Sequence, residues 1–278
     1  MDYLLYGANG YTAQLIIKES LKRGLKPTLA GRNKEKIKAL AIKYELNYAI
    51  FSLDNPDRLY KELIEFPLCL NAAGPFSKTA LPLAEACIKS KTHYLDITGE
   101  IAVFERIKKL HEKAVSNQVM LMPGVGFDVV PSDCLANYLH EKLPNASSLE
   151  LSFTSLDGGL SHGTASTMAA ELGNKSVTRK NGELVKVNTA YKNKIVDFGK
   201  FKTKVATIPW GDISTAYTST QIPSIDVYTK IPDSGLFFLK FQWLINPIMR
   251  TKMVRNAAQK YIDKNIYGPS DEKNRAGK

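Results

Sequence analysis

The opening residues constrain everything that follows. Tyr3-Leu4-Leu5-Tyr6 is an apolar run of strand length that leads straight into Gly7-Ala8-Asn9-Gly10-Tyr11-Thr12-Ala13. Gly7 and Gly10 permit a tight turn and close backbone approach, and Ala13 is small enough to let a following helix lie against the strand. Amides opening such a helix face outward with a partial positive charge and suit a pyrophosphate. The spacing is G-x-x-G-x-x-A rather than G-x-G-x-x-G, so on its own it is also compatible with an ordinary strand-turn-helix corner.

The next strand candidate, residues 27–31, ends in Gly31-Arg32-Asn33 with Lys34 and Lys36 beyond. In a dinucleotide fold this position inspects the adenosine ribose, and an acid there selects the 2′-hydroxyl of NAD. A basic run in place of an acid selects a 2′-phosphate, so NADP(H) is the expected cofactor. One charge-assisted contact of about 1.5–3 kcal/mol corresponds to roughly 10- to 150-fold preference.

From residue 1 to about 130 strands alternate with helices. Strands are expected at 2–6, 27–31, 48–52, 67–71, 93–97 and 119–123, with helices at 11–23, 33–44, 56–64, 78–90 and 101–116. This order predicts a Rossmann doubly wound parallel α/β sheet with its ligand at the carboxyl ends of the strands. Those ends read Asn71-Ala72-Ala73-Gly74-Pro75-Phe76, Asp96-Ile97-Thr98-Gly99-Glu100 and Pro123-Gly124-Val125-Gly126-Phe127-Asp128.

After a helix at 131–141 the texture changes. Residues 149–155, 184–188, 194–198, 204–209 and 225–230 alternate as strands, with turns at Asn181-Gly182 and Asp157-Gly158-Gly159 and a helix at 163–172. Residues 131–278 are therefore expected to form a mixed α+β domain with a largely antiparallel sheet, serving substrate binding or oligomerisation, with a homodimer among the arrangements it allows. The aromatic stretch 235–249 is too short to span a bilayer and reads as a buried lid helix in preference to an interfacial one. The polar end, residues 268–278, reads as disordered.

Charge and cysteine usage narrow the class. The net charge of +11 is scattered along helix faces, with denser clusters only near Arg179-Lys180 and Lys192 to Lys204. With no helix-turn-helix, zinc finger or aromatic RNA-binding signature beside it, nucleic acid is not the expected partner. Weak attraction to an anionic membrane surface stays open. Cys69, Cys87 and Cys134 are isolated, which indicates neither a disulfide framework nor a zinc site, and all three read as buried small hydrophobes. The strand beginning at Met1 leaves no room for a leader, so a cytoplasmic location is expected.

Five motifs in order, Gly7 to Ala13, Leu29 to Asn33, Asn71 to Ser77, His93 to Glu100 and Pro123 to Asp133, resemble the saccharopine dehydrogenase-like family and its trans-acting enoyl reductase branch. Asp197-Phe198-Gly199 and Ile208 to Tyr217 extend the likeness. The resemblance implies an NADP-binding Rossmann domain and an oxidoreductase. It places Gly7, Asn9, Gly10, Tyr11 and Thr12 at the pyrophosphate and Arg32 and Asn33 at the 2′-phosphate. Residues 52–54, including Asp54, fall near adenine, and Asn71, Ala72, Gly74 and Pro75 fall against the ribose or nicotinamide. Family members usually continue many tens of residues further, so this chain reads as a C-terminally short member with an incomplete second domain.

Reduction of C=C, C=N or C=O needs a proton donor beside the hydride. Asp128, His162, Tyr217 and Asp96 are the candidates, although Asp96 and Glu100 equally suit structural caps, and Ser132-Asp133 a helix start. No nucleophile-base pair suggests hydrolysis. Arginine is sparse in the second domain, which favours an acyl or lipid-like small molecule over a polycarboxylate. Two other classes remain: a catalytically silent NADPH-binding protein, and a peripheral membrane protein.

Overall fold

The computed structural model describes residues 2–154 and 162–266. Two compact units divide the chain at Val130/Pro131.

The first unit is built on six parallel strands: β1 (Leu4–Tyr6), β2 (Thr28–Gly31), β3 (Tyr48–Ile50), β4 (Leu68–Asn71), β5 (His93–Asp96) and β6 (Leu121–Met122), in the order β3-β2-β1-β4-β5-β6. That order reverses direction between β1 and β4, where a doubly wound sheet opens its ligand crevice. Helices α1 (Tyr11–Lys22), α2 (Lys34–Tyr44), α3 (Pro56–Leu63), α4 (Phe76–Ser90), α5 (Ile101–Lys108) and α6 (His111–Ser116) make the connections. The expected single helix over 101–116 is thus two.

Successive side chains of a strand point to opposite faces, and β1 shows what this does here. Tyr3 and Leu5 join Ala13, Ile17, Leu29 and Ile37 in one core, while Leu4 and Tyr6 join Phe51, Leu59, Leu83 and Tyr94 in the other. All three β1 residues are buried, as expected of a strand covered on both faces. Ala13 is fully buried, which is the close helix-on-strand contact that its small size allows.

The second unit carries α7 (Val130–Lys142), β7 (Ser148–Phe153), α8 (His162–Ala170), β8 (Ser176–Lys180), β9 (Glu183–Val187), β10 (Asn193–Asp197), β11 (Lys202–Ile208), α9 (Asp212–Thr220), β12 (Ser224–Lys230), α10 (Asp233–Leu239), α11 (Gln242–Met249) and α12 (Lys252–Asn265). Its sheet runs β10-β11-β12-β8-β9 with antiparallel neighbours, and β7 adds to β12 in parallel. Strand β8 and helices α9 and α12 stand where no element was expected. The turn at Asp157-Gly158-Gly159 and the tail at 268–278 lie outside the described residues.

Two further expectations are corrected. The stretch 235–249 is not one buried helix: it is divided between α10 and α11, and no residue of α11 is buried. Cys69 and Cys87 are buried, but Cys134 is exposed, because α7 turns it outward. No described helix is long and apolar enough to cross a membrane.

Candidate functional site

The turn after β1 is fixed by contact as well as by conformation. Gly7 has φ +81°, and a Cβ added there would lie 2.7 Å from both the Cβ and the amide nitrogen of Ala73. The strand end therefore meets the loop after β4 with no room for a side chain. Gly7 and Ala8 both donate to the carbonyl of Ala30, and Gly10 donates back to the carbonyl of Gly7, which closes the turn.

The helix starts differ in a way that bears on ligand binding. Asn33 Oδ1 accepts from Lys36 N at the start of α2, and Asn55 Oδ1 accepts from Asp57 N and Arg58 N at the start of α3. Glu100 reaches α4, accepting from Phe76 N at 2.9 Å and Ser77 N at 3.1 Å. Helix α1 opens at Gly10 and, like α5 but unlike α2, α3 and α4, has no side-chain cap and no acid in its first turn. A helix end of this kind, preceded by a turn that keeps side chains away, fits a pyrophosphate. Asn9 and Thr12 are exposed beside it, and Gly10 and Tyr11 are half-exposed.

Arg32 and Asn33 follow β2 and are exposed. Among the described residues no carboxylate forms an ion pair with Arg32. Burial pushes the Tyr6 hydroxyl up to about 12, with the Arg32 charge pulling it down and Asp54 pushing it up, so both charges lie near the top of β1. Asp54 is exposed, just before the Asn55 cap.

The loop after β4 is held from within. Asn71 is fully buried: its Oδ1 accepts from Ala73 N at 3.0 Å, and its Nδ2 donates to Thr79 Oγ1 and to the Tyr94 hydroxyl. The Asn71 side chain thus shapes the loop from beneath, and Ala72, Gly74 and Pro75 form its outer part; Gly74 and Pro75 are exposed.

One buried carboxylate joins this loop to the next two. Asp96 Oδ2 accepts from the Tyr94 hydroxyl at 2.7 Å, while Oδ1 accepts from Thr98 N at 3.0 Å and Gly124 N at 2.9 Å. Burial raises the Asp96 carboxyl above its ordinary range, and the three donors partly offset it. Glu100 and Asp96 are therefore structural groups, and neither was separable from a proton donor by sequence.

Asp128 sits on the third of these loops, against the second: a Cβ at Gly99 would lie 3.5 Å from Asp128 Oδ2. Burial raises its carboxyl as well. Next to it Phe127 is 90% exposed.

The other candidates are in the second unit. Tyr217 lies in α9, with the Arg179 guanidinium 4.2 Å from its ring centre. That buried arginine also donates to the carbonyls of Ile213 and Gly182, which makes the Tyr217 ring part of a packing arrangement. His162 opens α8, and its side chain lies outside the described residues. Among the described residues no group of His, Cys, Asp or Glu is placed to hold a metal ion.

Comparison with known proteins agrees with this geometry. The family model of the saccharopine dehydrogenase NADP binding domain matches residues 3–122. A saccharopine dehydrogenase-like oxidoreductase of Bos taurus is 27% identical over 176 residues, covering 56% of this chain and 41% of that protein. A trans-acting enoyl reductase of Mycobacterium bovis is 29% identical over 163 residues, covering 56% and 39%. The chain spans about two-fifths of the length of the curated relatives it matches. The saccharopine dehydrogenase (L-Glu forming) of Saccharomyces cerevisiae shares the fold, with TM-score 0.62 and 14% identity over 99% of this chain and 69% of that one. Residues 3–122 thus match a saccharopine dehydrogenase-type NADP-binding domain, and the chain is similar to saccharopine dehydrogenase-like oxidoreductases and to trans-acting enoyl reductases.

Proposed function

We propose that the chain is an NADPH-dependent reductase that delivers hydride to a C=C or C=N bond of an apolar, acyl or lipid-like substrate. The observation that carries this reading is the top of β1 and β2: a turn closed by Gly7 and Gly10 that opens onto a helix with no side-chain cap, with Arg32 exposed beyond β2. In this reading Gly7, Asn9, Gly10, Tyr11 and Thr12 line the pyrophosphate, and Arg32 and Asn33 receive the 2′-phosphate. Asp54 lies at the adenosine end. Ala72, Gly74 and Pro75 form the outer wall against the ribose and nicotinamide, with Asn71 setting their position.

Bound NADPH supplies the hydride. The chain must supply orientation and a proton. Asp128 is the proposed donor, because burial raises its carboxyl in the direction that suits a general acid and its loop belongs to the edge that the cofactor residues occupy. Tyr217 and His162 are the alternatives from the second unit, to which we assign substrate binding and a homodimer contact. Exposed Phe127 beside Asp128, with Met122 48% exposed, supports an apolar substrate. Three unpaired cysteines favour the reducing cytoplasm.

Oxidation of NADPH in the presence of enoyl thioesters, imines and carbonyl compounds tests the reading. Turnover with an apolar enoyl or imine acceptor, lost in Asp128→Asn, is the expected result. Tight NADPH binding without turnover on any acceptor would instead favour a catalytically silent binder.

A further inference from the structure

We infer that α10, α11 and α12 form a docking surface for an anionic phospholipid bilayer. This inference is independent of the reductase reading.

The apolar part of the surface is large and uncovered. Trp243 is 75% exposed, Leu244 57%, Ile248 62% and Met253 81%, joined by Phe237 and Phe241, whose rings meet edge-on at 5.5 Å. A helix of a soluble core hides such side chains, whereas one that lies in a lipid interface presents them. At eight residues α11 is about 12 Å long, far short of a hydrocarbon core of about 30 Å, so it can lie in a bilayer surface and not cross it. It is also held in place: Gln242 accepts from Thr189 N and donates to the Thr189 carbonyl.

Charge identifies the occupant. The segment of α10 to α12, residues 233–265, contains Lys240, Arg250, Lys252, Arg255, Lys260 and Lys264 against two acids, Asp233 and Asp263. Arg250 donates to the carbonyl of Gly173, and Arg255 to the carbonyl of Leu172 and to Asn174 Oδ1, all neutral acceptors. Exposed aromatic side chains on a segment with an excess of cations over acids match the headgroup region of an anionic leaflet, where each basic residue adds attraction. A second copy of this chain fits poorly, because a two-fold contact would set the same excess of cations against itself.

Co-sedimentation of the full chain with vesicles tests this. The probes are phosphatidylcholine alone and an equimolar mixture of phosphatidylcholine and phosphatidylserine. Binding to the mixed vesicles at least about tenfold stronger than to phosphatidylcholine, and falling with added salt, is expected. The tryptophan emission should shift to the blue on binding; Trp243→Phe should bind normally with that shift reduced, since Trp210 is the other tryptophan of the chain. Trp243→Ala with Ile248→Ala should weaken binding at least about tenfold, with NADPH affinity unchanged as the control for folding. The inference is overturned by equal or absent binding to the two vesicle types. It is also overturned if the double variant abolishes self-association in sedimentation velocity while vesicles are never bound.

Discussion

The Tyr94 hydroxyl donates to Asp96 Oδ2 across 2.7 Å, and the other oxygen of that carboxylate accepts from Thr98 N and Gly124 N, so one pair of β5 side chains fixes two strand-end loops. Asn71 adds a third by donating to the same hydroxyl. Tyr94→Phe leaves Asp96 Oδ2 and Asn71 Nδ2 buried without this partner, and should destabilise the first unit by about 1–3 kcal/mol. Asp96→Asn should fall in the same range, because the hydroxyl proton loses its acceptor. The charge itself acts in the opposite direction. With the folded-state pKa raised, stability declines as pH rises from the ordinary carboxylate range through the raised value, then levels off. Urea unfolding against pH should show a shallower decline in Asp96→Asn than in the parent, the remainder coming from Asp128, also raised by burial; the same decline in both would assign it to another group.

Gly7→Ala meets two obstacles. Its φ of +81° is unfavourable for alanine by about 1–2 kcal/mol, and the new Cβ would press on Ala73 N and Cα as closely as on Ala73 Cβ. The variant should keep its helix content by circular dichroism and lose NADPH affinity by at least about tenfold, because the loop after β4 must move. Adding Ala73→Gly should not restore it, since the backbone atoms remain in the way. Full recovery in the double variant would show that only the two methyl groups conflict.

The second unit should respond to acid. Burial raises the Asp226 carboxyl, but hydrogen bonds from Lys192, Thr178 and Tyr191 outweigh it and hold the group below its usual range. Glu150 is lowered too, chiefly by Lys194, against burial. Both groups bind fewer protons folded than unfolded, so their contribution is complete above the ordinary carboxylate range and is lost as pH falls through the depressed values. Asp226→Asn should flatten the fall in unfolding free energy between about pH 5 and pH 2. An undiminished slope would place the acid sensitivity elsewhere.

Much of the first unit is legible in the chain because each strand is a short apolar run ended by a turn residue. Strands buried on both faces carry that signature, and β1, β2 and β4 all show it. The second unit is less legible. Asp212-Ile-Ser-Thr-Ala-Tyr-Thr-Ser-Thr220 is rich in poor helix formers, and α9 forms because Ile213, Ser214 and Ala216 are buried. Arg179-Lys180 read as a basic cluster, yet Arg179 is buried under Tyr217 at the end of β8. In the candidate site, the tight turn at Gly7 and the exposure of Arg32 are legible because they follow from local backbone and charge. Glu100 capping α4 is not, since the bond joins residues 24 apart, and Asn71 gives no local sign that its side chain turns inward.

We propose that the first unit binds NADPH through its 2′-phosphate at Arg32, and parallel fluorescence titrations of the parent chain and Arg32→Ala with NADPH and NADH test this. The parent should prefer NADPH by roughly 10- to 150-fold, and the variant should lose most of that preference with little change for NADH. Equal affinity of the parent for both nucleotides, or an equal loss for both in the variant, would contradict the assignment.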